Sequence, residues 1–337
     1  MTSAATGGQD RPGPHGLPPG TVLVDLVRSG FVESTHTVSV VVLAPDGSTR
    51  LALGRVDAPI LPRSANKPLQ AVGLLDAGWQ PGSEALVLAA ASHSGEPRHL
   101  DVVRRILAAA GLTDGALQCP AMLPLSEAAA HALLRSGGAA TPLTMNCSGK
   151  HAAMLACCVA NGWSTEDYLR AGHPVQQAVT AAVERLAGET VRHLAVDGCG
   201  APQHALTLRG LASAFRALAT GGGSEAHMAA AMRTHPDLLG GTGRSVTELL
   251  TALPGIVAKE GAEGVYAAGL TDGGAVAVKV TDGANRAALP VLVAGLRLLG
   301  VSGEVLDRLA TVPVLGGGVQ VGELRVRPGS LLMSEEP

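Results

Sequence analysis

Arg63-Ser64-Ala65-Asn66-Lys67-Pro68 is the stretch on which the reading of this chain turns. A serine and a lysine three residues apart share one face of a helix. Pro68 marks where that helix begins, because proline is tolerated in the first turn, where its missing N–H has no partner to lose. Ser64 is therefore expected at or near a helix N-terminus, in the positive end of the helix dipole. That field opposes the charged form of Lys67, and a neutral lysine can take a proton from a serine hydroxyl. Backbone N–H groups at the same place can hold a developing oxyanion. The pattern is a design for nucleophilic attack on an amide or ester. Taken alone it is weak, because Ser-x-x-Lys arises by chance in most chains of this length.

Further clusters give it context. Asn146-Cys147-Ser148-Gly149-Lys150-His151 gathers a thiol, a hydroxyl, an amine and an imidazole around a glycine. Asp197-Gly198-Cys199-Gly200 follows a short apolar strand over residues 194–196. Ala91-Ser92-His93-Ser94-Gly95-Glu96 follows what reads as another strand, residues 85–90. Reactive side chains just after strand ends, among glycines, are where functional loops of a mixed α/β protein sit.

Together these stretches resemble the thermolabile, Rhizobium-type L-asparaginases, also called asparaginase II-like or class 3 enzymes. A fifth match is Val257-Ala258-Lys259-Glu260-Gly261, followed by Tyr266-Ala267. The matches keep the family's order and spread from about Glu33 to Gly318. The resemblance implies hydrolysis of the side-chain amide of L-asparagine to L-aspartate and ammonia. By position, Ser64 with Lys67 matches one Ser–Lys tandem of the family, and Ser92 with Lys259 matches the second. Which serine is the nucleophile stays open, with Ser64 favoured for its place at a helix start. Asp197 matches a residue of the substrate pocket and would bind the α-ammonium. Arg63 either pairs with the α-carboxylate or supports the loop. Cys147, Lys150 and Cys199 match a zinc-binding trio, and three protein ligands leave a fourth position for water or substrate. Lys150 must be neutral to bind a metal, a cost that coordination can offset. Whether Zn²⁺ orients substrate or generates hydroxide stays open. Gly200-Ala201-Pro202 departs from the Asn-Leu-Pro that relatives often carry, which leaves the trio intact but could reshape the pocket rim.

Local patterns outline the fold. Residues 37–43 and 49–53 flank the turn Pro45-Asp46-Gly47-Ser48 as a β-hairpin. Residues 264–270 and 275–281 form a second hairpin around Thr271-Asp272-Gly273-Gly274. Asn285 is expected to cap a helix running to Leu299, and a last strand is expected over residues 319–326. Between the hairpins the chain reads as mostly helical. A sheet from the terminal segments with a helical insertion, an α+β (α/β) architecture, is the layout of the serine β-lactamase and glutaminase superfold. Ser-x-x-Lys opening a helix resembles its nucleophile motif, and Lys259-Glu260-Gly261 its late Lys-x-Gly strand. Fold does not fix chemistry.

Composition bounds the rest. The chain has 337 residues, enough for a large core. A net charge of −3 and an aromatic content of 2% give no basic surface and few stacking platforms, which argues against nucleic acid. No apolar stretch approaches the roughly 20 residues of a membrane span. Residues 1–20 are rich in Gly and Pro without an apolar h-region, and read as a disordered leader before a single catalytic domain, 21–337. Five cysteines, an odd number, suit a reducing, cytoplasmic setting. Cys157 and Cys158 read as buried packing in an apolar helix. The resemblance and the Ala-rich chain point to a homodimer. Two rival readings are a Ser–Lys hydrolase of the penicillin-binding or β-lactamase type, and a non-catalytic zinc- or redox-sensing protein.

Overall fold

The computed structural model describes residues 21–331. The leader expected over residues 1–20 lies outside the described residues. An antiparallel sheet is built from both ends of the described chain. Strands β1 (Val22–Arg28), β2 (Phe31–Leu43) and β3 (Thr49–Leu53) open it. Strands Ile256–Gly261, Val265–Leu270, Ala275–Val280, Thr311–Gly316 and Val319–Val326 complete it. Across the sheet the order is 311–316, 319–326, β1, β2, 275–280, 265–270 and 256–261, with β3 paired to β2.

Both expected hairpins form. At the first turn the Asp46 carboxylate accepts the Ser48 N–H at 2.8 Å, an Asx turn that fixes the reversal. β2 starts earlier than its alternating pattern showed, because its first half pairs with β1 and its second half with 275–280. From Val38 to Leu43 nearly every side chain is buried, so the sheet is covered on both faces. A β-carbon on Gly269 would collide with the Phe215 carbonyl of helix Leu208–Thr220. Gly295, on helix Ala288–Leu298, packs instead against Val276. Gly269 pairs with Ala275, the residue before Val276. Successive strand residues face opposite sides, so the two helices lie on opposite faces.

The insertion between residues 53 and 256 is mostly helical, as expected. Helix α1 (Lys67–Asp76) packs closely on helix Pro174–Ala187, since a β-carbon on Gly73 would strike Val179 and the Ala178 carbonyl. Residues 85–90, read as a strand, lie in helix α2 (Ser83–Ala89) up to Ala89, with Ala90 as its C-cap. A short apolar run fits either period, and here helical neighbours decide. Asn285 does not cap a helix. It opens a 3₁₀ turn, Asn285–Ala287, and its side-chain oxygen accepts the Gly264 N–H at 2.7 Å. Among the described residues no helix is long and apolar enough to cross a membrane.

Candidate active site

The helix start comes one turn later than the sequence implied. Arg63–Asn66 is a 3₁₀ turn, and the α-helix begins at Lys67 with Pro68 in its first turn. Ser64 is therefore on the lead-in turn, half-buried, and Lys67 holds the first helical position. Arg63 adopts φ +53°, a left-handed conformation uncommon for a residue with a β-carbon. Such strain persists only where surrounding contacts hold it. Those contacts are present: the Arg63 Nε donates to the Asp197 carboxylate at 2.8 Å, and Gln203 donates to the Arg63 carbonyl at 3.5 Å.

Strand Ile256–Gly261 lies directly on this turn. A β-carbon on Gly261 would collide with the Pro62 carbonyl oxygen, which explains a glycine two residues after Lys259. Lys259 pairs with Ala267 in the sheet, while its neighbours Glu260 and Tyr266 face the other side. Lys259 is fully buried.

The serines and lysines pair differently from the tandems implied by resemblance. Lys67 is 1% exposed, and its Nζ donates to the Ala91 carbonyl at 2.7 Å and to Ser92 Oγ at 3.0 Å. Ser92 thus takes its hydrogen bond from Lys67. Lys259 donates to the Glu260 carbonyl at 3.1 Å and pairs with the Glu260 carboxylate at 3.1 Å. The cause is the path of the Ser92 loop. Ser92 N–H bonds to Leu239 O, His93 N–H to Asn146 O and Ser94 N–H to Gly240 O, which threads the loop between two segments and beneath the start of α1. Burial pulls Lys259 down to about 8, against the pull of Glu260, with Lys67 and Arg244 pushing it further down. Arg244 holds the same Glu260 carboxylate at 2.6 Å.

Cys147, Lys150 and Cys199 converge beside this pair. Helix Ser148–Ala160 begins just after Cys147, and Gly149 lets it ride against the Leu88 carbonyl at the end of α2. The Lys150 ammonium donates to Cys199 Sγ at 3.1 Å, and Cys199 Sγ lies 3.7 Å from the Asp197 carboxylate. The Cys147 thiol and the Lys150 charge hold Cys199 well below the usual thiol range, while Cys199 and burial push Cys147 above it. Burial opposes the charge on Lys150, yet Cys199, Cys147 and Asp197 hold its proton affinity above that of an ordinary lysine. Two sulfurs and an amine within reach of one another are a donor set that fits zinc once the amine gives up its proton. Among the described residues no group of three or more His, Cys, Asp or Glu side chains is placed to hold a metal ion.

Residues outside the expected set complete the site. The buried His93 ring reaches Ser148 Oγ at 2.9 Å and stacks on His99 with ring centroids 5.3 Å apart. His151 meets the Tyr168 hydroxyl at 2.7 Å. Glu260 stands in the quoted Val257–Gly261 stretch, but nothing local in the sequence shows that it joins Lys259 to Arg244. Two cavities of about 810 and 610 Å³ flank residues 78–83, and no proposed site residue lines either.

Curated proteins gave no match. Among solved structures the chain is similar to Mglu in its native form, with 16% identity and a TM-score of 0.43, covering 77% of this chain and 63% of that one. It is also similar to a Bacillus glutaminase (13%, TM-score 0.32, 73% and 83%). A third is EstCE1, described as a hydrolase with promiscuous acyltransferase activity (13%, TM-score 0.35, 87% and 94%). The chain spans 63% of the length of Mglu, and TM-scores this low carry no weight for activity. The family model described as L-asparaginase II matches residues 24–326, nearly the whole described chain, and so the chain belongs to the L-asparaginase II family of amidohydrolases.

Proposed function

We propose that this protein hydrolyses the side-chain amide of L-asparagine, giving L-aspartate and ammonia through a seryl acyl-enzyme. The observation that carries the reading is the buried Lys67–Ser92 hydrogen bond at 3.0 Å, one turn from the half-buried Ser64. A hydroxyl, a second hydroxyl and two buried lysines in one cleft can move the proton that a serine must lose. Ser64 attacks the carboxamide carbon while its proton passes to Lys67. The C–N bond then breaks, the same proton leaves with ammonia, and water releases the acyl group by the reverse path. Ser92 and Lys259 relay or orient that proton. Asp197 and Arg63 already pair at 2.8 Å, and an amino-acid zwitterion offers each of them its opposite charge. The α-ammonium would join Asp197 and the α-carboxylate Arg63.

A specific observation favours a second assignment. Ser92 rather than Ser64 holds the direct lysine bond, so Ser92 is the rival nucleophile. Zinc belongs to the same proposal: Cys147, Lys150 and Cys199 would hold it, and when bound it supplies a positive charge that orients or polarises substrate. A cytoplasmic homodimer is also proposed. The five cysteines, all free and buried, support the location, and the resemblance supports the assembly.

The test is ammonia release from asparagine and from glutamine, with and without added zinc, alongside a β-lactam hydrolysis assay. Ammonia from asparagine supports the reading. β-Lactam turnover without ammonia favours the penicillin-binding type, and bound zinc with neither activity favours the sensing protein.

A further inference from the structure

Strand alternation creates a second site behind the first. Lys259 faces the helical insertion, while Glu260 and Tyr266 share the opposite face of the sheet. On that face lies a cavity of about 310 Å³, whose polar wall is Arg244, Ser245, Glu260, Tyr266, Asn285 and Arg286. Aliphatic side chains close its back. The volume sits at the lower end of small-ligand pockets.

The charges around it do not balance. The wall carries two guanidiniums, Arg244 and Arg286, and one carboxylate, Glu260, whose Oε1 is held by Arg244 at 2.6 Å while its Oε2 lies 3.1 Å from Lys259 without a hydrogen bond. Arg286 contacts His36 Nε2 through its Nε at 3.1 Å. Tyr266 is 3% exposed, and its hydroxyl has no hydrogen-bond partner. Ser245 stands near that hydroxyl without meeting bonding geometry. Helix Ser245–Ala252 starts at the same wall, and its N-cap residue, Arg244, makes no side-chain cap bond. An uncapped helix start, two guanidiniums and a buried unpaired phenol suit oxygen acceptors that carry negative charge.

We propose that this cavity binds a small organic carboxylate, held by Arg244, Arg286, the Tyr266 hydroxyl and the start of helix Ser245–Ala252. The ligand would sit on the opposite side of the strand from the catalytic cleft. Its negative charge would add to that of Glu260, which bears on Lys259. The consequence for catalysis rests on the amidohydrolase reading, whereas the binding site itself does not.

The experiment is calorimetric titration of the full chain with succinate, for wild type, Tyr266→Phe and Arg286→Gln, with crystals of wild type soaked in succinate. Wild type is expected to bind, and each variant to lose about tenfold or more in affinity. Ammonia release without succinate is expected to be unchanged in both variants, and density is expected beside the Tyr266 hydroxyl. If Tyr266→Phe does not fold, the surface variant Arg286→Gln decides. Equal affinities in all folded variants, or density only beside Ser64, would overturn the proposal. Binding is read without turnover, so the two readings fail separately. A missing site leaves ammonia release intact, and a wrong activity leaves the titration intact.

Discussion

Lys67 and Ser92, 25 residues apart in the chain, share a buried 3.0 Å hydrogen bond. The lysine of the Ser64 turn thus serves the serine of another loop. If the cleft works as one unit, removing either member of the unit should cost nearly as much as removing several. Lys67→Met is expected to lower kcat by roughly 10²–10⁴-fold. Ser64→Ala is expected to abolish turnover, and the double variant to lose little more. Steady-state ammonia release measures all three.

The nucleophile can be located directly. Acid-quenched turnover followed by peptide mass analysis should place the acyl group on the peptide carrying Ser64. Label on the Ser92 peptide instead would transfer the nucleophile role and leave Ser64 as a positioning group.

Lys259 predicts a pH profile. Burial brings its proton affinity down to about 8, while the adjacent Glu260 carboxylate pulls the other way. If its neutral form is needed, kcat/KM rises with pH through an apparent value near 8. Glu260→Gln removes the charge that favours the ammonium, so the limb should move to lower pH. A limb that stays in place would detach Glu260 from the reaction.

The same lysine predicts a stability gain at the expense of function. Between about pH 8 and 10.5 the folded chain binds fewer protons at Lys259 than the unfolded chain, so stability rises with pH across that window. The burial cost is largest below about 8, where it amounts to roughly 3 kcal/mol at most. Lys259→Met is therefore expected to raise unfolding stability at pH 7, to flatten the pH slope and to lose activity. Urea unfolding at pH 7 and 10 checks both signs.

Metal content forms the last test. Cys147→Ser and Cys199→Ser should lose zinc, while Cys157→Ala and Cys158→Ala, buried in the helix core, should keep it. Chelation should leave the melting transition in place, because the apolar core is large. KM should rise more than kcat falls if zinc mainly orients substrate. Metal analysis with kinetics separates this from a purely structural role for the thiols.

The architecture was legible where patterns are local. Both hairpins and the strand Val319–Val326 carry their signals in alternation and turn residues. The run at residues 85–90 did not, because six residues of Ala, Leu and Val satisfy a strand as well as helix α2. The chemical groups of the cleft were legible in their motifs, but their partners were not. Only tertiary packing gives Ser92 to Lys67 and Arg244 to Glu260. The same holds for the 3₁₀ lead-in, which moves Ser64 off the helix proper.

The pairing of β1 with Val319–Val326, in register Val24 to Val326, has a consequence for how the molecule is made. The ribosome delivers β1 long before this neighbour, with residues 29–318 between them. Until Val319–Val326 emerges, β1 shows an open edge to other nascent chains. Contacts of such sequence separation slow closure of the sheet. Nascent chains halted short of residue 319 are thus the species most exposed to aggregation, and holding chaperones would find their target there.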